Sequence, residues 1–121
     1  MSNFYHLRGS SIFTTMAIAE FENLPPGQQR RNAGADAIEM RRSLTFLDMT
    51  EYNQEIGDQR YITKQAATDH ILELSRSREL ELCDMCVLVI SSHGHFSDTQ
   101  KIIFSDRKLV ALYELINPIQ R

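Results

Sequence analysis

The chain has 121 residues, 42% of them hydrophobic, which is enough for one domain with a modest core. With 13 basic and 16 acidic side chains, a net charge of -3 and a pI near 5.8, it has no overall positive field to draw it to nucleic acid or to anionic lipid. No apolar run approaches the ~18 residues that span a bilayer, the N-terminus lacks the layout of a signal peptide, and the only cysteines are Cys83 and Cys86. A reducing, cytoplasmic setting without a disulfide framework is therefore expected, with neither nucleic acid nor membrane as a partner.

Residues 10–16 (SSIFTTM) are β-branched and aromatic and predict a strand entering the core. Residues 23–34 (NLPPGQQRRNAG) hold two prolines, two glycines and two arginines, a composition that predicts an exposed loop. From Asp36 onward Ala37, Met40, Leu44 and Leu47 recur every three or four residues and predict a helix with those four on its buried face. Asp36 itself suits the cap or first turn of that helix. Residues 49–56 (MTEYNQEI) alternate loosely, as a short strand would. Thr63 is placed to cap a second helix in which Ala67, Ile71 and Leu74 form the buried stripe, ending near residues 76–79.

Residues 86–90 (CVLVI) form the most pronounced apolar run, the pattern of a strand buried on both faces of a parallel sheet. It stops abruptly at SSHGHFSDTQ. A short strand over 101–104, a turn at 105–107 and a last helix carrying Leu109, Leu112, Leu115 and Ile116, closed by Pro118, complete the chain. Alternating strands and helices predict an open α/β sheet with right-handed crossovers. In such sheets ligands bind beyond the carboxyl ends of the strands, where His93 and Gly94 fall.

His93 can serve as general base or acid near neutral pH, and the Gly94 N–H could donate to a developing oxyanion. A polar turn after a strand accounts for the same residues equally well. Cys83 and Cys86 could be drawn with His93 and His95 as a metal site, but alternation along a strand turns Cys86 into the sheet as a small apolar filler, so no metal and no cofactor are expected. Arg30 and Arg31 could clamp a carboxylate through paired hydrogen bonds, or could simply be solvated. Without a Gly-rich phosphate loop, a G-x-S-x-G elbow or an H-E-x-x-H helix, kinase, α/β-hydrolase and zinc-peptidase chemistry lose their main support.

Taken in order, Arg8-Gly9 before a strand, then Phe21, Arg30, Asp36, Met40, Leu44 and Leu47, then Ile62-Thr63, and finally Asp84, the apolar strand and Ser92-His93-Gly94, resemble the large-subunit half of a caspase. Asp106 and residues 109–116 resemble the family's next segment. The resemblance runs over about residues 5 to 120 and rests on order and spacing. It implies an α/β fold with a caspase-like open, mainly parallel sheet, helices on both faces, incomplete at its C-terminal side, and one partial large-subunit domain over residues 1–121. It also implies His93 as catalytic histidine, Gly94 as oxyanion donor, and Arg30 or Arg31, with Ser92, at the substrate aspartate. The family pattern R-x-G-T is broken here, with Arg31, Asn32 and Ala33 after Arg30 and the glycine displaced to Gly34.

The family's nucleophile lies in a Q-A-C-x-G segment roughly 50 residues beyond the histidine, a segment these 121 residues do not contain. The resemblance thus implies a component of an endopeptidase that cleaves protein or peptide substrates after aspartate once a cysteine is supplied by a continuing chain or a second one. The alternative is a non-catalytic decoy or regulator that binds an active relative. A caspase small subunit or another caspase-like chain is the expected partner, and dimerisation is expected.

Overall fold

The computed structural model describes residues 10–30, 33–95 and 100–120. Arg8, Gly9 and Arg31 lie outside them. The centre of the molecule is strand β1 (Ser10–Ala17), flanked in parallel by β2 (Thr50–Glu51) on one side and β3 (Cys83–Ser91) on the other. β1 pairs with β3 along its whole length, from Ser10 opposite Cys83 to Ala17 opposite Ser91, with one register shift at Ser10/Ser11.

Both faces of β1 are covered. Thr14, Met16 and the following Ile18 turn towards helix α3 (Lys64–Ser75) and α2 (Gln54–Asp58), where Ile56, Ala67 and Ile71 join the main core cluster. Phe13, Thr15 and Ala17, on the alternate face, are equally buried and lie under α1 (Ala33–Phe46), whose own buried residues are Ala33 and Ala37. The Thr63 hydroxyl accepts from the Ala66 N–H and starts α3 as its cap. A second, antiparallel sheet of β4 (Gly94–His95), β5 (Lys101–Ile103) and β6 (Leu109–Ala111) comes after β3, and α5 (Leu112–Ile116) closes against the core through Leu115.

Several expectations need correction. Helix α1 begins at Ala33, inside the region expected to be a loop, with Asp36 in its first turn. Of its expected stripe only Ala37 is buried; Met40 is 44% exposed and Leu47, past the helix end, 61%, because among the described residues the sheet beneath α1 has only three strands to cover it. Residues 49–56 are not one strand: β2 is two residues long and Ile56 belongs to α2, inside the core. Residues 78–82 form a further helix, α4 (Arg78–Leu82), capped by the Ser77 hydroxyl on the Leu80 N–H. The segment 109–116 splits into β6 and α5, since Val110 pairs with Ile102 rather than continuing a helix, and Pro118 sits inside a 3₁₀ turn (Asn117–Ile119).

The largest correction concerns β3. Its apolar run predicts burial on both faces, yet Val87, Leu88, Val89 and Ile90 are all half-buried. Among the described residues β3 hydrogen-bonds to β1 alone, so each face is covered only on its β1 side.

Candidate active site

The carboxyl ends of β1 and β3 are tied together by their own backbone, the Ile18 N–H donating to the Ser91 carbonyl at 2.8 Å. Arg30 returns to the same place from the loop. Its backbone N–H donates to Ala19 O at 2.9 Å, its Nη1 to Ile18 O at 3.0 Å and its Nη2 to Ser91 Oγ at 2.8 Å. Two of the five guanidinium donors thus fix the side chain, and among the described residues the other three have no acceptor.

Two residues beyond Ser91, His93 is held through its main chain. The Ser92 hydroxyl donates to Ile103 O, the Ile103 N–H donates back to the His93 carbonyl at 3.4 Å, and Gly94 enters β4 opposite Ile102. The His93 imidazole is exposed and lies against the Phe21 ring, with centroids 5.0 Å apart and planes tilted by 40°. Beside Ser92 and His93 a cavity of about 380 Å³ opens against Leu88 and Ile90 of β3, Ile102 of β5 and Leu112 of α5.

The structure therefore gathers Arg30, Ser92, His93 and the Gly94 backbone at one end of the sheet. Neither cysteine joins them. Cys86 stands five residues up the extended strand from Ser91, roughly 17 Å away. It is half-buried, and that burial pushes its thiol up to about 11, the behaviour of an inert filler and not of a nucleophile. The Cys83 thiol donates to Leu80 O, and neither cysteine is in a disulfide; Cys86 lies within β3 as expected, and Cys83 is the strand's first residue. Among the described residues no cluster of three or more His, Cys, Asp or Glu side chains is placed to hold a metal ion, and no helix is long and apolar enough to cross a membrane.

A family model, the caspase domain, matches residues 15–121. The chain belongs to the caspase family. No curated protein sequence matches it. Among solved structures it is similar to the Drosophila initiator caspase Dronc, with a TM-score of 0.76 and 14% identity over 91% of this chain and 41% of that one. At that identity the likeness shows the fold, an α/β fold with a mainly parallel sheet, and this chain spans 41% of the length of the Dronc chain. Caspases are cysteine proteases, so a site holding an imidazole and a guanidinium at the carboxyl ends of the central strands is where the chemistry of such an enzyme would be sought.

Two residues, Ser91 and Gln29, hold positions at this site that the sequence did not suggest. Ser91 fixes the Arg30 guanidinium, and the doubled serine ahead of the histidine is the signal that could have suggested a polar strand end. Phe21 packs against the His93 ring, and Gln29 hydrogen-bonds the Phe21 main chain. Gln29 sits in an irregular loop where no periodicity distinguishes it from its neighbours.

Proposed function

We propose that this chain is the histidine-bearing component of a caspase-type cysteine endopeptidase that cleaves protein substrates after aspartate, using a cysteine outside these 121 residues. The observation that carries this is that Arg30 is bonded to Ser91 at the strand end that His93 follows by two residues, on a strand whose far edge has no partner among the described residues. In this reading His93 takes the proton of the cysteine thiol, the thiolate attacks the scissile carbonyl, and the Gly94 N–H receives the oxyanion. The imidazolium then gives its proton to the leaving amine. Arg30 pairs with the substrate aspartate through donors not spent on Ile18 and Ser91, with Arg31 as the alternative cation and Ser92 as a neighbouring polar contact.

Residues 1–121 then act as one large-subunit unit of a cytoplasmic protein. The strand that carries the cysteine, from a continuing chain or from a caspase small subunit or related chain, would lie along β3 and cover its half-exposed apolar residues. A second reading has a specific observation in its favour: neither Cys83 nor Cys86 reaches His93. A decoy that keeps the fold and binds an active caspase would need no nucleophile.

Co-purification separates the two. The chain is expressed with caspase segments that carry Q-A-C-x-G, and the encoding transcript is read beyond Arg121. A complex that gains aspartate-specific cleavage supports the enzyme component. A complex in which an already active caspase is silenced supports the decoy, and the absence of any complex removes both.

A further inference from the structure

We propose that Gln29 is a positioning residue for His93, acting through Phe21; this rests on the catalytic reading of His93 given above. The Gln29 side chain makes three hydrogen bonds to main chain. Its Oε1 accepts from the Phe21 N–H at 2.7 Å, and its Nε2 donates to Phe21 O and to Leu24 O, each at 3.0 Å. A peptide N–H can only donate, so the partner of Phe21 N is the amide oxygen, and the NH₂ group is left facing two carbonyls that can only accept. The amide therefore clips both polar groups of Phe21 at once and bridges the tight turn beyond it, where Asn23 has a φ of 60°.

The residue so clipped is the one that lies against the imidazole. Phe21 is buried and its ring forms one wall for His93 at a centroid distance of 5.0 Å. The following residue, Arg30, ties Ile18 and Ser91. Gln29 and Arg30 thus send adjacent side chains to the two candidate groups of the site, one setting the surface behind the histidine and the other joining the strand ends.

The loop has other anchors. Glu22 N–H donates to Ser105 O at 2.8 Å, the Tyr61 hydroxyl donates to the Glu22 carboxylate, and Arg30 N–H reaches Ala19 O. Removing Gln29 leaves these in place and frees the Phe21 main chain. Its specific effect is therefore on the angle and distance at which Phe21 meets His93, and a misplacement of a catalytic group by about 1 Å costs on the order of a hundredfold in rate.

The test is NMR of the 121-residue chain, following the imidazole C–H signals of His93, identified by their loss in His93→Ala. A nearby aromatic ring displaces such signals by its ring current. In Gln29→Ala the amide spectrum of α3 is expected to persist while the His93 signals lose that displacement, and Phe21→Leu should move them the same way with the clip intact. Gln29→Glu keeps an acceptor for the Phe21 N–H but cannot donate to the two carbonyls, so a partial loss is expected; this variant decides the matter if Gln29→Ala does not fold. His93 signals that stay in place in the folded Gln29 variant while Phe21→Leu moves them would overturn the proposal. In an enzyme completed by its cysteine segment, Gln29→Ala should lower kcat about tenfold per titrated active site, with KM changed less than about twofold. If instead His93→Ala leaves cleavage intact, the catalytic reading fails, while the imidazole signals still report whether the clip exists.

Discussion

Replacing Thr14 by valine should destabilise the chain by about 1 to 3 kcal/mol, the cost of stranding a buried imidazole nitrogen. Thr14 is 1% exposed and His70 3%, and Thr14 Oγ1 lies 2.7 Å from His70 Nε2 between β1 and α3. On the other side of the ring Asn53 Nδ2 donates to Nδ1 at 3.4 Å, so Nε2 carries the proton and donates to the threonine. Tyr52 packs against the ring, and Glu73 is the nearby charge. With urea as denaturant, a loss of 2 kcal/mol moves the unfolding midpoint by roughly 1 M. His70→Leu alone strands the Thr14 hydroxyl instead, whereas the double variant replaces both polar partners with apolar groups and should recover about 1 kcal/mol or more of the summed losses.

The same pair sets a pH dependence. Burial lowers the His70 pKa from its usual 6.5, against a smaller upward pull from Glu73. The unfolded chain then binds the proton more readily than the folded one, so the contribution is fully present above about pH 6.5 and is lost as pH falls from there through the folded pKa. His70→Leu should flatten that part of the profile. Additive single and double variants, or a His70→Leu profile as steep as the parent's between pH 7 and 5, would refute the reasoning.

Phe104, the first residue of the β5–β6 turn and fully buried in the core, should cost about 3–5 kcal/mol as Phe104→Ala, seen as a drop in the unfolding midpoint. In an enzyme completed by its cysteine segment, Ser91→Ala removes one partner of the Arg30 guanidinium and should raise KM about fivefold, equivalent to about 1 kcal/mol, with kcat little changed. In a Cys83→Ser background Cys86 should react with a thiol reagent at pH 7.5 on the order of a hundredfold more slowly than a free cysteine, because burial raises its pKa to about 11; reaction at the free rate would contradict that burial. The half-exposed edge of β3 should make the isolated chain associate with itself or a partner, and a sharp monomeric mass by light scattering together with cooperative melting would argue otherwise.

Legibility in the sequence depended on how local the signal was. β1 was legible because its β-branched run is short, bounded and buried on both faces, and α3 because Thr63 caps it and Ala67, Ile71 and Leu74 keep helical spacing. His70 lies on the same stripe, three residues after Ala67, so its burial was available to a closer use of that spacing. Residues 109–111 were not legible: Leu109, Val110 and Ala111 are apolar under either period, and only their pairing with Lys101–Ile103 makes them a strand, whereas β5, the turn after it and α5 were read from the sequence. The exposure of β3, Met40 and Leu47 depends on how many strands flank β1, which no local pattern records. At the candidate site the position of His93 beyond β3 was legible, whereas the Arg30–Ser91 and Gln29–Phe21 contacts are made by loop residues, Arg30 and Gln29, whose path is set by tertiary hydrogen bonds.

The most direct test of a catalytic role for His93 is the rate at which the purified chain, combined with a Q-A-C-x-G-bearing caspase segment, cleaves a fluorogenic aspartyl peptide, compared with the same complex carrying His93→Ala. The expected result is no cleavage by the chain alone, aspartate-specific cleavage by the complex, and a loss on the order of a hundredfold or more with His93→Ala. Cleavage by the pure chain, or a complex whose rate is indifferent to His93, would contradict that role.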